Sequence, residues 1–247
     1  MIKSLKTLFF LIIFVLLGSK TMFAQTSIFW EPVLGTDGSN PPNSATAIAV
    51  DTNNGNLWVA DNRGVVYLYD GTIWTRKTNN IVGQISSMAL APNGDIYGCF
   101  GYGSGKGMLY KLVKGGTSWE LVFTDDNLAY SSINAILITG SADNYKVYFG
   151  TSRFGFYRPD GNGSWEQANN GLYDYGGVFG TIAIPIQSLA LSADGTTLYA
   201  GTDSGIYRST DGGDNWTLVA DRLNGRKIYG IAVVDNNTII VYSLLQI

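Results

Sequence analysis

Residues 186–216 read IQSLALSADGTTLYAGTDSGIYRSTDGGDNW, and this stretch decides the fold. Three runs rich in β-forming residues, each of strand length, are separated by Asp194-Gly195 and by the glycine at 205. A fourth run begins at Trp216. We label the four predicted strands A to D, in chain order.

The same unit recurs along the chain, and tryptophan marks its period. The marker residues are Trp30, Trp74, Trp119, Trp165 and Trp216, spaced 44, 45, 46 and 51 residues apart. Strand B carries one large aromatic residue in four units (Trp58, Tyr97, Tyr148, Tyr199), and strand C carries a tyrosine (Tyr67, Tyr110, Tyr157, Tyr207). A repeated four-stranded unit of about 45 residues is typical of a β-propeller blade. The sequence therefore predicts an all-β fold, a β-propeller of about five Trp-spaced repeats over residues 25–247.

The first 24 residues have the pattern of a secretory signal peptide. Lys3 and Lys6 precede an apolar run over 8–17, and small and polar residues lead to Ala24, after which we expect cleavage. An uncleaved anchor is the alternative, although the apolar run is shorter than the roughly 20 residues that span a bilayer. The prediction is a secreted, periplasmic or cell-surface protein without a membrane span in its mature chain.

Composition excludes several classes of chemistry. The chain has no histidine, so Ser-His-Asp catalysis and His-ligated zinc or iron are ruled out. Without Lys3, Lys6 and Lys20, 13 basic residues face 19 acidic ones, a net charge of −6 that disfavours nucleic acid as a partner. The single Cys99 rules out an internal disulfide, and it shares a column of small residues that predicts strand packing. We expect no cofactor and assign no metal ligands.

The fourth unit holds Ser209, Asp211, Gly213 and Trp216, which match every fixed position of the Asp-box, Ser-x-Asp-x-Gly-x-x-Trp. The chain thus resembles the Asp-box (BNR-repeat) β-propeller proteins over nearly all of 28–243. That resemblance implies the propeller fold but no single function, because the family includes sialidases, xyloglucan-degrading glycoside hydrolases, sortilin-like sorting receptors and extracellular propellers without known activity. The segment 56–60 also looks like the repeats of periplasmic sensor propellers of two-component receptors.

The two ends of the repeat array are incomplete. Residues 28–34 supply only a strand D, whereas 228–247 supply strands A and B and then stop at an apolar stretch, 244–247. The chain is therefore either a five-bladed ring with one three-stranded blade or a piece of a larger propeller, and we expect the second.

Candidate catalytic residues are few. The three glutamates, Glu31, Glu120 and Glu166, each follow a repeat tryptophan, so we interpret them as scaffold positions on strand D. Asp61 and Asp203 follow strand B in corresponding loops, and Asp203 resembles a loop acid of the xyloglucan-degrading hydrolases. The alternative for both is a solvated turn residue, since aspartate favours turns.

Ligand contacts are expected on the loops that join strand B to C and strand D to A, because both return to one end of a blade. The 101–107 loop offers Tyr102 and Lys106, and the long 166–185 loop offers Tyr173, Asp174, Tyr175 and Phe179. Aromatic faces beside charged groups suit a sugar or a peptide side chain. We therefore predict a non-catalytic propeller that binds an extracellular glycan or protein. The alternatives are a glycoside hydrolase with paired loop aspartates and a periplasmic sensor propeller.

Overall fold

The structure is a computed structural model that describes residues 44–77, 83–102, 106–174, 182–219, 225–236 and 238–243, with residues 42 and 223. The chain divides into two compact units, 1–33 and 34–247. The first unit, with the predicted signal peptide, Trp30 and Glu31, lies outside the described residues. In the part of the chain that is described, no helix is long and apolar enough to cross a membrane.

The second unit is built from antiparallel sheets in which each strand pairs with the next along the chain. Sheet 1 is β1 (Ala45–Val50), β2 (Leu57–Asp61), β3 (Val66–Tyr69) and β4 (Trp74–Arg76); sheet 2 is β5 (Gln84–Leu90), β6 (Ile96–Tyr102), β7 (Lys106–Leu112) and β8 (Trp119–Ala129); sheet 3 is β9 (Ile133–Ser141), β10 (Asn144–Thr151), β11 (Phe156–Pro159) and β12 (Trp165–Gln167). A two-stranded ribbon, β13 (Tyr173–Asp174) with β14 (Ile182–Ala183), precedes sheet 4, which is β15 (Ile186–Leu191), β16 (Leu198–Thr202), β17 (Gly205–Ser209) and β18 (Thr217–Leu218); sheet 5 is β19 (Ile228–Asp235) with β20 (Thr238–Ser243).

The first strands of successive sheets contact one another in the series β1, β5, β9, β15 and β19. Among the described residues, three clusters of buried hydrophobic side chains lie between neighbouring sheets. One lies between sheets 1 and 2, one between sheets 2 and 3, and one between sheets 3 and 4. Strand A of each repeat is thus innermost, and neighbouring sheets pack face to face around these inner strands. This is the arrangement of a β-propeller. The predicted fold class is confirmed.

The repeat columns fall where the sequence places them. Trp74, Trp119 and Trp165 each begin the fourth strand of their sheet, and Trp216 directly precedes β18. Glu120 and Glu166 are exposed on β8 and β12, in two different sheets. The β13–β14 ribbon is a difference from prediction, because the 166–185 segment was expected to be a plain loop.

The small-residue column of strand B is explained by the next sheet. Cys99 and Gly150 belong to this column, and Ile133 and Ile186, which begin the following first strands, are fully buried. A Cβ atom added to Gly150 would lie 2.3 Å from Cγ2 of Ile186. Burial raises the pKa of the Cys99 thiol well above its ordinary value, so this cysteine is an inert packing residue, as predicted.

Residues 209–216 of sheet 4, which match the Asp-box pattern, form a hydrogen-bonded turn. The Asp211 carboxylate accepts the Asn215 backbone N–H at 2.9 Å and the Ser209 hydroxyl at 2.7 Å. Ser209 Oγ in turn accepts the N–H of Gly213 at 2.9 Å. Gly213 has φ of 96°, and a Cβ there would meet the ring of Phe156 in sheet 3 at 2.4 Å. The motif therefore shapes its own turn and seats it against the preceding sheet.

The Asp211→Asn variant is expected to be destabilised near neutral pH and to approach the wild-type protein as the pH falls from about 4 to about 2. Hydrogen bonds from the Asn215 side chain, the Asn215 backbone and Ser209 lower the pKa of Asp211 to about 2, from 3.8. Because the folded pKa lies below the unfolded one, the stabilisation is complete above the unfolded pKa and disappears as the pH falls through the folded pKa. Urea unfolding across this pH range measures the effect.

The matched control is Asp143→Asn. Asp143 is an exposed turn residue for which the described structure gives no hydrogen bond to its carboxylate. Its substitution should change stability little. A stability difference that does not change with pH for Asp211→Asn would contradict the stabilising role of the Asp211 charge.

Candidate functional site

The B–C and D–A connections meet at one end of the sheets, and we call this end the loop face. The backbone N–H of Asp203, which follows β16, donates to the carbonyl of Pro185, which precedes β15, at 3.1 Å. In sheet 3 the N–H of Ser152 donates to the carbonyl of Ser132 at 2.9 Å. The two kinds of loop are therefore in contact, as the strand directions predicted.

Each innermost strand carries a register shift next to the loop face. The residues at these shifts form one column, the bulge column, which consists of Thr46, Ser86, Asn134, Gln187 and Tyr229. Two of them reach the next sheet: Ser86 Oγ donates to the Ile133 carbonyl at 2.5 Å, and Asn134 Nδ2 donates to the Ile186 carbonyl at 3.0 Å. A bulge re-aims a side chain locally, and here it turns polar groups toward the neighbouring sheet.

Gln187, the bulge-column residue of sheet 4, does not follow Ser86 and Asn134 in donating to a carbonyl of the next sheet. It donates to a carboxylate that follows β16, and a polar cluster forms there. Gln187 Nε2 donates to Oδ1 of Asp203 at 2.8 Å, and the same oxygen lies 3.0 Å from Nζ of Lys227. The side chains of Asp203 and Lys227 are 35% and 40% exposed. The Lys227 ammonium also lies 5.3 Å from the ring centroid of Tyr229, within cation–π range. A carboxylate, an amide, an ammonium and an aromatic ring thus meet where solvent and ligands reach them.

Asp61, the second predicted acid, has a different environment. Its side chain is 1% exposed, and Oδ2 lies 2.7 Å from the Arg63 guanidinium. Burial raises the pKa of Asp61, but hydrogen bonds from the Arg63 side chain and from the backbone N–H groups of Val65 and Arg63 outweigh burial and lower it. This carboxylate holds its own turn together, and it is buried rather than solvated.

The strand register explains why the two aspartates differ. Asp61 is the last residue of β2 and pairs with Ala45, just as Thr202, the last residue of β16, pairs with Ile186. Asp61 therefore corresponds to Thr202, which is fully buried, and Asp203 is one residue further along. Because successive strand residues point to opposite faces, a shift of one residue determines whether the carboxylate is buried or exposed to solvent. The two acids lie in corresponding loops of sheets 1 and 4, but at positions that differ by one residue.

The predicted aromatic loop meets Asp203 at its base. Tyr173 and Asp174 form β13, and the returning strand β14 leads directly to Pro185, the partner of the Asp203 N–H. Tyr173 is half-buried, whereas the side chain of Asp174 is not described. Tyr175 and Phe179 lie outside the described residues. At the 101–107 loop, Tyr102 ends β6 without a described side chain and Lys106 begins β7.

Sequence reasoning also missed Tyr130, a highly exposed aromatic residue on the loop face. Tyr130, between β8 and β9, is 81% exposed, and its φ of 60° is the only positive value of a non-glycine residue among those described. Its neighbours Leu128 and Ser131 are buried and fix the turn from both sides. A left-handed tyrosine is uncommon and costs free energy, and such strain concentrates at binding sites. Nothing in the local sequence indicates this conformation.

The described residues hold no group of three cysteine, aspartate or glutamate side chains placed to bind a metal ion.

No protein-family model matches the chain, and no curated protein sequence matches it. Solved structures do. An ancestral GH74 enzyme is 18% identical with a TM-score of 0.63, over 88% of this chain and 29% of that one. The extracellular domain of a putative hybrid two-component system from B. thetaiotaomicron is 18% identical with a TM-score of 0.58, over 81% of this chain and 26% of that one. YCF48 bound to a D1 peptide is 15% identical with a TM-score of 0.54, over 77% of this chain and 59% of that one.

These similarities concern the fold, and they place the chain among β-propeller structures. The chain spans less than two thirds of each of the three proteins.

Proposed function

We propose that this protein is an extracellular or periplasmic binding propeller whose loop face recognises a glycan or a protein. The observation that carries the proposal is the half-exposed cluster of Asp203, Lys227, Gln187 and Tyr229 beside the base of the 166–185 loop. Loops on a rigid scaffold are where propellers of many functions place their binding residues. A sensor propeller is one form of this proposal, since it differs only in what the binding domain is joined to.

Two observations support the proposed extracellular or periplasmic location. Lys3, Lys6 and the apolar run that follows have the pattern of a signal peptide, with cleavage after Ala24. The similar protein from B. thetaiotaomicron is described as an extracellular domain. The similar YCF48 is described as bound to a peptide, which is one of the two ligand classes proposed here.

The composition of the loop face suits a sugar or peptide ligand. Exposed aromatic rings provide flat apolar contact area, and the Asp203–Lys227 pair provides a donor and an acceptor side by side. We assign ligand contact to residues named from the sequence and to three that the structure adds. The set is Tyr102, Lys106, Tyr173, Asp174, Tyr175 and Phe179, with Tyr130, Lys227 and Tyr229.

Substituting Tyr130 or Lys227 by alanine is expected to weaken ligand binding about tenfold without unfolding the protein, since a desolvated aromatic or charged contact contributes about 1–2 kcal/mol. A glycan array and a peptide array, probed with the purified protein, identify the ligand, and titration calorimetry measures the variants. Lys146→Ala is the matched control, because β10 places Lys146 away from the loop face. Equal affinity of all three variants and the wild type would refute the loop-face assignment.

A glycoside hydrolase is the second candidate, because one of the similar structures is an ancestral GH74 enzyme and Asp203 is accessible to solvent. Hydrolysis needs a second carboxyl group roughly 5–9.5 Å from the first. Asp61 is bound by Arg63, so the second acid would come from another loop aspartate, such as Asp174. Release of reducing sugar from xyloglucan that is abolished in Asp203→Asn would replace binding by hydrolysis as the function.

A further inference from the structure

A cavity of about 310 Å³ lies between sheets 1 and 2, at the end of the sheets opposite to the loop face. Its walls come from the A–B turn of sheet 1, the start of β6 and the C–D turn of sheet 2. Trp58, Leu68 and Leu112 supply apolar wall. The volume is at the lower end of the range of small-ligand sites and accepts roughly one or two sugar rings.

A glycine explains why the cavity occurs between these two sheets. Between sheets 2 and 3 the corresponding space is occupied: the hydroxyl of Tyr97 lies 3.0 Å from that of Tyr145, and Tyr97 is buried. Tyr145 stands two residues before the interior residue Val147. In sheet 2 the residue two before the corresponding Ile96 is Gly94, which lines the cavity. Trp58, the counterpart of Tyr97, is consequently left half-buried.

The polar groups of the cavity carry an excess of positive charge. Lys77 and Lys114 both line it, and within the described part of the chain neither ammonium has a carboxylate within 4.0 Å. Asp51 is the one acidic residue among the lining residues that the structure describes, and its Oδ1 already accepts the Asn53 N–H at 2.9 Å. The whole chain has a net charge of −3, so this local surplus is contrary to the overall balance.

Side-chain amides complete the lining. Asn54 uses its Oδ1 to accept the Asn56 N–H at 2.9 Å, and this bond leaves its two amide hydrogens for a ligand. Asn53 and Asn56 line the same wall. Amide donors and acceptors beside an aromatic ring suit the hydroxyl groups and the apolar face of a pyranose.

We propose that this cavity is a second binding site, specific for an acidic saccharide of the uronic acid type. The Trp58 side chain contacts the sugar ring, the asparagine amides bind its hydroxyl groups, and Lys77 and Lys114 pair with its carboxylate. The site lies at the opposite end of the sheets from the loop face and does not depend on the function proposed there.

The test is a titration of the purified protein with digalacturonic acid and with the uncharged disaccharide galactobiose, followed by calorimetry. The wild type is expected to bind digalacturonic acid at least about tenfold more tightly than galactobiose, with an affinity that falls as salt is added. The Lys77→Gln/Lys114→Gln variant should lose this preference, whereas Lys146→Gln should keep it. Trp58→Phe should bind both sugars more weakly.

No saturable binding of digalacturonic acid, equal binding of the two disaccharides, or an unchanged preference in the double lysine variant would each overturn the proposal. The lysine variants change solvent-reaching side chains, so the test does not depend on whether the Trp58 variant folds. Binding of digalacturonic acid that is lost in Lys227→Ala and kept in the double lysine variant would place the sugar on the loop face and would also overturn the proposal. The two sites therefore fail or succeed separately.

Discussion

Replacing Trp216 by alanine is expected to lower the free energy of unfolding by about 3–5 kcal/mol. The Trp216 ring is buried and meets Phe156 edge-on, with 4.9 Å between ring centroids. Its Nε1 donates to the Ala168 carbonyl at 3.2 Å, and both partners belong to sheet 3 or to the segment that follows it. The substitution removes a large aromatic contact between two sheets and leaves a cavity. Urea unfolding followed by far-ultraviolet circular dichroism measures the loss.

Trp74→Ala is the matched control. Trp74 holds the same place in the repeat but is half-buried, and its ring packs on Tyr69 of its own sheet at 4.9 Å. We expect its loss to cost less than half as much. Equal losses would show that the tryptophan column stabilises each sheet internally, and would contradict the inter-sheet role assigned to Trp216.

The position of Trp216 shows how the repeats depend on one another. Its backbone N–H also donates to the Asn170 carbonyl at 2.8 Å, so backbone and side chain both join sheet 4 to the segment after β12. Arg158 of sheet 3 makes the reciprocal contact, an ion pair with Asp214 in the Asp-box turn. In repeat proteins each unit is stabilised mainly by its neighbours. The turn over residues 209–216 therefore stabilises the boundary between sheets 3 and 4.

The sequence predicts the strands well because each one is marked twice. Alternating apolar residues mark its length, and glycine or aspartate marks its ends, with the same columns in every unit. The β13–β14 ribbon was missed because its strands, Tyr173–Asp174 and Ile182–Ala183, are too short to show any alternation. The left-handed Tyr130 was missed because tyrosine does not signal a positive φ.

The candidate site was only partly predictable. Asp203 was singled out by its resemblance to a loop acid of the xyloglucan-degrading hydrolases, and the aromatic loop by its length. Lys227 and Tyr229 were not, because they belong to the next unit and reach Asp203 only through sheet packing. The sequence placed Asp61 and Asp203 in corresponding loops but did not predict their different environments, since a register difference of one residue cannot be read from loop composition.

Gly150→Ala is expected to lower the free energy of unfolding by about 1–3 kcal/mol, although it adds a single methyl group to a strand. The new Cβ would lie 2.3 Å from Cγ2 and 2.7 Å from Cβ of Ile186. Because Cβ is bonded directly to the backbone, it cannot rotate away from this contact. Strands β10 and β15 must therefore separate. The fully buried Ile186 then loses contacts on the first strand of sheet 4.

Gly230→Ala is the control, because a Cβ there would meet only Cβ of Tyr242, at 3.7 Å, an ordinary contact. This change should be neutral or slightly stabilising, since alanine restricts the unfolded chain more than glycine does. A double-mutant cycle with Ile186→Ala separates the clash from other effects. If the clash is the cause, the two losses are less than additive, because shortening Ile186 removes Cγ2 and relieves part of the overlap. Strict additivity would place the cost of Gly150→Ala in the strand itself, and the small-residue column would then need an explanation other than the isoleucine of the next sheet.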